Sequence, residues 1–355
     1  MKNLLLLSML RLFLLLIVSP LLVTSQVHID YKNLALEGGG IRGLAYTGAF
    51  QVLEEKGILQ KIERVAGTSS GAIIGVLICL GYSSHEVDSV FRSLPIQEFN
   101  DGKNIFGIIH RLKKEYGIFR GEKFDKWIGA LIKNKTGNPD ATFAQLHQWH
   151  TSNVSFKDFY CTGTNITKQQ LQVFSWQLTP VMKLRTAVHI SGCIPVYYKP
   201  VALDSIWKQV PVKKNKGKFD LYVDGGMINN FPINMFDTCL DGGDPFNCSN
   251  IKYNFETLGL KLERPEQIER FNQGNTDIAP HPTSTLNDYT LALINLLQET
   301  LSRKTVGLVN EKNRTIFISY GNVFGKIRKV NPEEKKELFD NGYQAAEIYL
   351  QQHGH

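Results

Sequence analysis

Three short segments carry residue types that together could run acyl transfer: Gly38-Gly39-Gly40-Ile41-Arg42-Gly43, Gly67-Thr68-Ser69-Ser70-Gly71 and Asp224-Gly225-Gly226. The second has the form G-x-S-x-G, which sets a serine on a sharp strand-to-helix turn with its hydroxyl held out toward substrate. Ser69 is therefore the candidate nucleophile, and glycines at 67 and 71 remove the side chains that would crowd the elbow. The glycine run offers unpaired N–H groups at the start of a helix, where negative charge is favoured and an anion can come close to the backbone. In acyl transfer that anion is the oxygen of the tetrahedral intermediate, which each well-placed donor stabilises by about 3 kcal/mol. Gly38, Gly39, Gly40 and Gly43 are the candidate oxyanion residues, with Arg42 adding positive charge. Asp224 is the candidate base. A carboxylate with an ordinary pKa of about 4 accepts a serine proton poorly, so it needs a dry setting or must take the proton only as the nucleophile attacks.

The elements that must hold these residues are legible around them. Asn33-Leu34-Ala35-Leu36-Glu37 and Arg64-Val65-Ala66 read as short buried strands. Helices are predicted over Leu44 to Glu55 and, apolar on all sides, over Ala72 to Leu80. Lys218 to Val223 reads as the strand that ends in Asp224, with Gly225 and Gly226 allowing a tight turn. A second Asp-Gly-Gly at Asp241-Gly242-Gly243 is read as a surface turn, because Asp244 and Pro245 follow it and no apolar strand leads in.

Two other chemistries compete for the same residues. Gly38, Gly40 and Gly43 also spell G-x-G-x-x-G, with Glu63 about 20 residues beyond, as a dinucleotide site would want. A ribose-binding acid should sit at the carboxyl end of the second strand, whereas Glu63 precedes Val65-Ala66. A phosphate-cradling loop would need Gly-Lys-Ser/Thr after the glycines, and none is present. A Ser-His-Asp triad in the order of the α/β-hydrolases would draw its histidine from His281, His353 or His355. The first lies between two prolines and the others at the chain end. His189 is apolar-flanked and reads as a core residue. Histidines 28, 85, 110, 147 and 150 lack the spacings of a zinc site.

On these residues the chain resembles the patatin-like phospholipase family, whose glycine-rich loop with an arginine, G-x-S-x-G elbow and Asp-Gly-Gly turn appear here in the family's order. Arg185-Thr186-Ala187-Val188-His189-Ile190-Ser191-Gly192-Cys193-Ile194-Pro195 is similar to the family's segment ahead of the aspartate strand. His189 stands where many members carry a second arginine. The resemblance covers roughly residues 33 to 237. It implies a three-layer α/β/α fold with a mainly parallel central sheet, and a serine-aspartate dyad without histidine: Ser69 attacks, Asp224 accepts the proton, and N–H groups around Gly39 and Gly40 hold the oxyanion. The implied activity is hydrolysis of phospholipid or other acyl-lipid esters, of the phospholipase A or lysophospholipase type, with no metal or organic cofactor. The alternative from another class is a non-catalytic lipid-binding or interaction protein on the same scaffold.

Outside the catalytic region, residues 1–25 combine Lys2, the apolar stretches Leu4-Leu5-Leu6-Leu7 and Leu12-Phe13-Leu14-Leu15-Leu16-Ile17-Val18, and the small residues Val23, Thr24 and Ser25. This is the pattern of a secretory signal, or of an N-terminal membrane anchor if uncleaved, and places the protein outside the cytoplasm or at a membrane. The formal net charge is +7, and +5 without Lys2 and Arg11, an excess that suits an anionic lipid surface; no nucleic-acid motif accompanies it. The basic run from Lys213 to Lys218 reads as a solvated loop. Of five cysteines, Cys239 and Cys248 could close a short loop in an exported chain, while Cys79 and Cys193 read as buried small hydrophobes. Phe99 to Trp127 mixes apolar and cationic residues. It is expected to be an amphipathic helix packed on the sheet, with an interfacial helix or lid as the alternative. Residues 238–355 are expected to form an α/β extension packed on the core, with a strand at Thr315 to Ser319 and a helix from Pro332 to about Gln351.

Overall fold

Asn33–Leu36 forms the first strand, β1, buried along its whole length, as parallel strands covered on both faces are. In the computed structural model the described residues are 29–211, 219–275, 277–285, 309–321, 323 and 329–355, with positions 289, 292, 293, 296 and 300 between them. The N-terminal stretch over 1–25 and the basic run over 213–218 lie outside them. The further strands are β2 (Arg64–Gly67), β3 (Gly117–Phe119), β4 (Asp158–Asn165), β5 (Gln170–Phe174), β6 (Val196–Tyr198), β7 (Val201–Leu203), β8 (Asp220–Asp224), β9 (Thr238–Cys239), β10 (Ile251–Lys252), β11 (Thr257–Glu263) and β12 (Thr315–Ser319). The helices are α1 (Ala45–Glu55), α2 (Ser70–Cys79), α3 (Ser84–Arg92), α4 (Ile105–Glu115), α5 (Glu122–Thr136), α6 (Phe143–Ser152), α7 (Leu184–Ser191), α8 (Pro265–Asn272), α9 (Val309–Lys312) and α10 (Pro332–Gln352).

The central sheet has the order β12-β11-β1-β2-β4-β8-β7, with β5 also paired to β4. Every pairing from β12 to β4 is parallel, and β5, β7 and β8 are antiparallel to their neighbours. The result is a three-layer α/β fold with a mixed, mostly parallel sheet flanked by helices. Register decides what the sheet brings together. Leu36 pairs with Gly67, so the chain leaves β1 and β2 side by side, into the glycine loop and the elbow. Strand β4 outruns β2: residues from Asp158 to Cys161 pair with β2, and Gly163 to Asn165 pair with β8. Asp224 lies opposite Gly163, two residues beyond the partner of Gly67. An antiparallel strand laid on the overhang of β4 thus ends at the level of Ser69.

Helix α2 is buried throughout, as its all-apolar sequence requires. Helices α3, α6 and α10 start on capping boxes, Ser83 with Glu86, Thr142 with Gln145 and Asn331 with Glu334, in which each side chain satisfies a backbone N–H of the other's end.

The part beyond residue 237 does more than cover the sheet. Strand β11, not read from the sequence, enters between β1 and β12, and its alternation of Leu258, Leu260 and Leu262 is the period-two signal that marks it. Helix α10 crosses α1 at two glycines. A Cβ on Gly342 would collide with the carbonyl oxygen of Ala45, and one on Gly48 with that of Phe339. Cys239 is bonded to Cys248, joining the ends of a loop that holds Asp241, while Cys79, Cys161 and Cys193 are buried thiols. Among the described residues no helix is long and apolar enough to cross a membrane.

The segment after Phe99 departs from expectation. The one buried residue of α4 is Arg111, while Ile105, Phe106, Ile109 and Leu112 are exposed. Arg111 donates from Nε to the Ile118 carbonyl and from Nη2 to that of Gly102. These half-buried acceptors outside the helix draw the cation inward and turn the apolar stripe to solvent.

The α1–α10 crossing predicts that Gly342→Val lowers the unfolding free energy by about 2–3 kcal/mol, the cost of overpacking a contact that cannot widen. Urea unfolding should show a lower midpoint with an unchanged slope. A midpoint equal to that of the parent chain would refute close backbone packing at this crossing.

Candidate active site

Ser69 is the residue before α2 and adopts φ 54° and ψ −120°, a left-handed-side conformation that costs a non-glycine residue of order 1–3 kcal/mol. Its neighbours explain why it persists. A Cβ on Gly67 would strike the Gly71 carbonyl, and one on Gly71 would strike that of Leu36, so the turn closes against β1 only with glycine at both positions. The Ser69 N–H donates to Ser191 Oγ at 2.9 Å. Thr68 Oγ1 is 2.6 Å from Thr162 Oγ1 and donates to the Asn229 carbonyl at 3.1 Å.

The Ser69 hydroxyl donates to Asp224 Oδ2 at 2.7 Å. The other carboxylate oxygen, Oδ1, accepts from the Gly226 N–H at 2.8 Å. The backbone of Asp224 is fixed on both sides, its N–H donating to the Cys193 carbonyl and its own carbonyl accepting from Thr164 Oγ1, each at 2.9 Å. Gly225 allows β8 to pass so close to β4 that a Cβ there would overlap Thr162 Oγ1. Asp224 is 7% exposed. Burial raises its pKa from 3.8 to about 6, against the lowering effect of the hydrogen bonds from Gly226 and Ser69. This is the dry setting that a carboxyl base requires.

The glycine loop is held beside this pair. Gly38 donates to the Asn230 carbonyl at 3.0 Å and accepts from Asn230 Nδ2 at 2.9 Å. The Gly39 N–H donates to Ser70 Oγ at 2.8 Å. Gly40, at φ +58° with no atom within 4 Å of a Cβ position, opens a 3-10 turn, and its N–H has no acceptor within that turn. Arg42 donates from Nε to the Gly39 carbonyl at 3.1 Å, and its guanidinium lies 4.3 Å from the Tyr320 ring centroid. It braces the loop by fixing a carbonyl. Gly43 faces Ser70, whose Cβ and Oγ lie 3.1 Å from a Cβ position there. Glu37, just ahead of the loop, accepts the Leu262 N–H at 2.8 Å and lies 3.3 Å from the Lys261 ammonium, which also pairs with Glu263.

The structure thus brings Ser69, Asp224, Gly38, Gly39, Gly40, Arg42, Gly43, Gly67, Gly71, Gly225 and Gly226 into one place. It adds Ser70, Ser191 and Asn230, to which the sequence reading gave no role. Each lies within six residues of a quoted motif residue or inside a quoted segment, but pairing across 31 to 192 positions leaves no local pattern. The rival residues fall elsewhere. Glu63 sits at the amino end of β2, its carboxylate 3.5 Å from Lys32, at the opposite end of the strand from Ser69. His281 contacts the Pro282 carbonyl, and Asp241 accepts from Asn250 on the exposed disulfide loop. His189 is buried edge-on to Phe124, both ring nitrogens lack a hydrogen-bond partner, and burial lowers its pKa. It is a core residue, though not the hydrogen-bonded one that a core histidine usually is. The group Cys239, Asp241 and Cys248 has metal-ligand types, but its two sulfurs are bonded to each other.

A strained serine hydrogen-bonded to a buried carboxylate, beside a glycine loop that opens a helical turn, can carry out nucleophilic attack on a carbonyl with stabilisation of the resulting oxyanion. Known proteins share sequence with the part of the chain that holds these residues. YqhO of Bacillus subtilis is 31% identical over 212 residues, 58% of this chain and 67% of its own length. "Probable lipid hydrolase 463L" of invertebrate iridescent virus 6 is 29% identical over 206 residues, 58% of this chain and 63% of its own. The matched part is therefore about two thirds of these relatives. VipD from Legionella pneumophila superposes on 91% of the chain, covering 67% of VipD, with a TM-score of 0.56 and 18% identity, a likeness of fold. The model of patatin-like phospholipases matches residues 34–237, more than half of the chain and the stretch that holds every residue of the site, and the chain belongs to that family.

Proposed function

We propose that the chain is a serine-dependent lipid acyl hydrolase, a carboxylic ester hydrolase of the phospholipase A or lysophospholipase type, working through a Ser69–Asp224 dyad. The observation that carries this reading is the 2.7 Å hydrogen bond from Ser69 on its elbow to the buried carboxylate. Ser69 Oγ attacks the ester carbonyl as Asp224 takes its proton, and the tetrahedral oxyanion is held by the Gly40 N–H and by that of Gly39 as it exchanges the Ser70 hydroxyl. The proton passes from Asp224 to the leaving alcohol. Water, deprotonated by the same carboxylate, then attacks the acyl-enzyme and frees the acid and Ser69. Every step uses groups of the chain and water. The name of the iridovirus relative, a probable lipid hydrolase, supports the substrate class. Residues 33–237 carry the chemistry, 238–355 brace it, and 1–25 direct the chain to export or a membrane; N-terminal sequencing of protein from fractionated cells distinguishes cleavage from retention.

Ser69→Ala should abolish both ester hydrolysis and labelling by a fluorophosphonate probe while leaving the folded state intact. Labelling that survives, or moves to Ser70, would remove Ser69 as nucleophile. Asp224→Asn should cost about 10²–10⁴-fold in kcat, the range of a positioned base, whereas Asp241→Asn should leave the rate unchanged. The reverse ranking would transfer the role to the second Asp-Gly-Gly.

The raised pKa of Asp224 gives two pH signatures. The carboxylate is a base only when deprotonated, so kcat/KM should climb with pH to a plateau, with a midpoint near 6. The folded state also binds the proton more tightly than the unfolded chain between 3.8 and about 6. Its unfolding free energy therefore loses stabilisation as pH rises through that window, by about 3 kcal/mol at full burial. Urea unfolding at pH 4 and pH 7 should show Asp224→Asn gaining on the parent chain by about 2 kcal/mol, most of that amount. A gap independent of pH would show that the carboxyl titrates normally.

A further inference from the structure

Helix α4 inverts the usual arrangement of an amphipathic helix. Ile105, Ile109, Leu112 and Tyr116 recur at the spacing of one helical face, and with Phe106 they face solvent: Phe106 is 80% exposed, Ile105 62% and Tyr116 54%. Lys113 and Lys114, both exposed, flank this stripe in the last turn. From residue 103 to 126, leaving aside the buried Arg111, the chain carries six lysines and arginines against three carboxylates. The acid just ahead of that stretch, Asp101, is spent inside the fold, its oxygens accepting the N–H groups of Arg120, Gly121, Glu122 and Lys123.

Exposed apolar residues also lie on the segments that connect α4 to the candidate active site. Tyr116 adopts φ 63° and turns the chain from α4 into β3, where Gly117 pairs with Val196. Val196 and Ile194 are exposed, and they follow Ser191 and Cys193, the residues that hold the Ser69 N–H and the Asp224 N–H. Met227 and Ile228, just after Asp224-Gly225-Gly226, are exposed as well. Exposed apolar side chains flanked by Lys113 and Lys114, on segments that lead to a site read as acting on lipid esters, match a bilayer with anionic headgroups: the rings and aliphatic chains enter the acyl boundary and the lysines meet the phosphates.

We propose that the outward face of α4, with Ile194, Val196, Met227 and Ile228, docks this protein on an anionic lipid surface and presents the Ser69 mouth to the bilayer. The proposal rests on the acyl-hydrolase reading for its choice of partner. Its test uses the full chain with phosphatidylcholine vesicles containing roughly one third phosphatidylglycerol. In a Phe106→Cys chain labelled with an environment-sensitive dye, vesicles should raise the fluorescence, and lipid-borne quenchers in the bilayer should extinguish it. This reads the depth of α4 itself, whatever the N-terminal segment does. Phe106→Asp with Ile109→Asp should lower hydrolysis of vesicle phospholipid by at least about tenfold while a soluble short-chain ester is cleaved at the parent rate. Lys113→Glu with Lys114→Glu should do the same only where phosphatidylglycerol is present. A dye left unquenched, or vesicle hydrolysis unchanged in the double aspartate variant, would overturn the proposal. So would a concentration-dependent dimer abolished by that variant, since the face would then belong to a second copy. Ser69→Ala keeps the two readings apart: it should lose hydrolysis and keep dye quenching, whereas hydrolysis retained in Ser69→Ala would defeat the dyad and leave the docking result standing.

Discussion

Ser69 can hold φ 54° only because the backbones around it come closer than side chains would allow. The strain is opposed by several contacts together: Gly71 against the Leu36 carbonyl, Gly67 against Gly71, the Ser69 N–H on Ser191 and its hydroxyl on Asp224. A serine free to relax would turn its hydroxyl away from the carboxylate. Strained backbone is kept where the surroundings over-determine it, and here they come from β1, α2, α7 and the end of β8. The register of the sheet is what lets them converge, since β4 runs past β2 and offers β8 an edge on which to stop level with the elbow.

The motifs were legible because each is a local demand of the chain. A glycine that must have no Cβ, a serine between two such glycines and an aspartate before a tight turn are visible within five or six residues. The strands and helices beside them follow from apolar runs too short or too uniform to be anything else, as with α2. Two features of the reading failed for a common reason. An apolar stripe tells which side of α4 is hydrophobic, but its direction depends on Arg111 finding the carbonyls of Gly102 and Ile118. Strand β11 was not named although Leu258, Leu260 and Leu262 alternate, and the charged Lys261 and Glu263 give no sign in the sequence of being buried. Both are buried, and the Lys261 ammonium sits between the carboxylates of Glu263 and Glu37. The supporting residues Ser70, Ser191 and Asn230 were not legible at all as partners, since what they touch is set by tertiary approach.

The same buried charges tie the far part of the chain to the glycine loop. Glu37 spends one oxygen on the Leu262 N–H and the other on Lys261, so the residue before Gly38 is anchored to a strand more than 200 positions later. An ion group of this kind costs desolvation, and its partners must stay together once buried. The tip of the Leu262 side chain also lies where a Cβ on Gly39 would be, so β11 packs directly against the loop. After the loop, α1 is clamped by α10 through the Gly48 and Gly342 contacts. The loop is therefore held at entry by β11 and at exit by α10, and along its length by Asn230, Ser70 and Arg42.

Rigidity of that order has a chemical purpose in the proposed reaction. A backbone N–H stabilises an oxyanion without reorganising only if it already points at the place where the charge will develop. Each peptide of the loop is set by a contact on its other side: the Gly38 carbonyl by Asn230, the Gly39 carbonyl by Arg42. With the Gly38 and Gly39 carbonyls taken and the Gly39 N–H on Ser70, the Gly40 N–H that opens the 3-10 turn is the donor the proposed reaction assigns first to the oxyanion. The dryness that raises the Asp224 pKa and the fixed peptides that replace water as donors thus belong to one arrangement. In the proposed reaction the buried carboxylate activates the serine, and the braced loop supplies the solvation that the same burial removes.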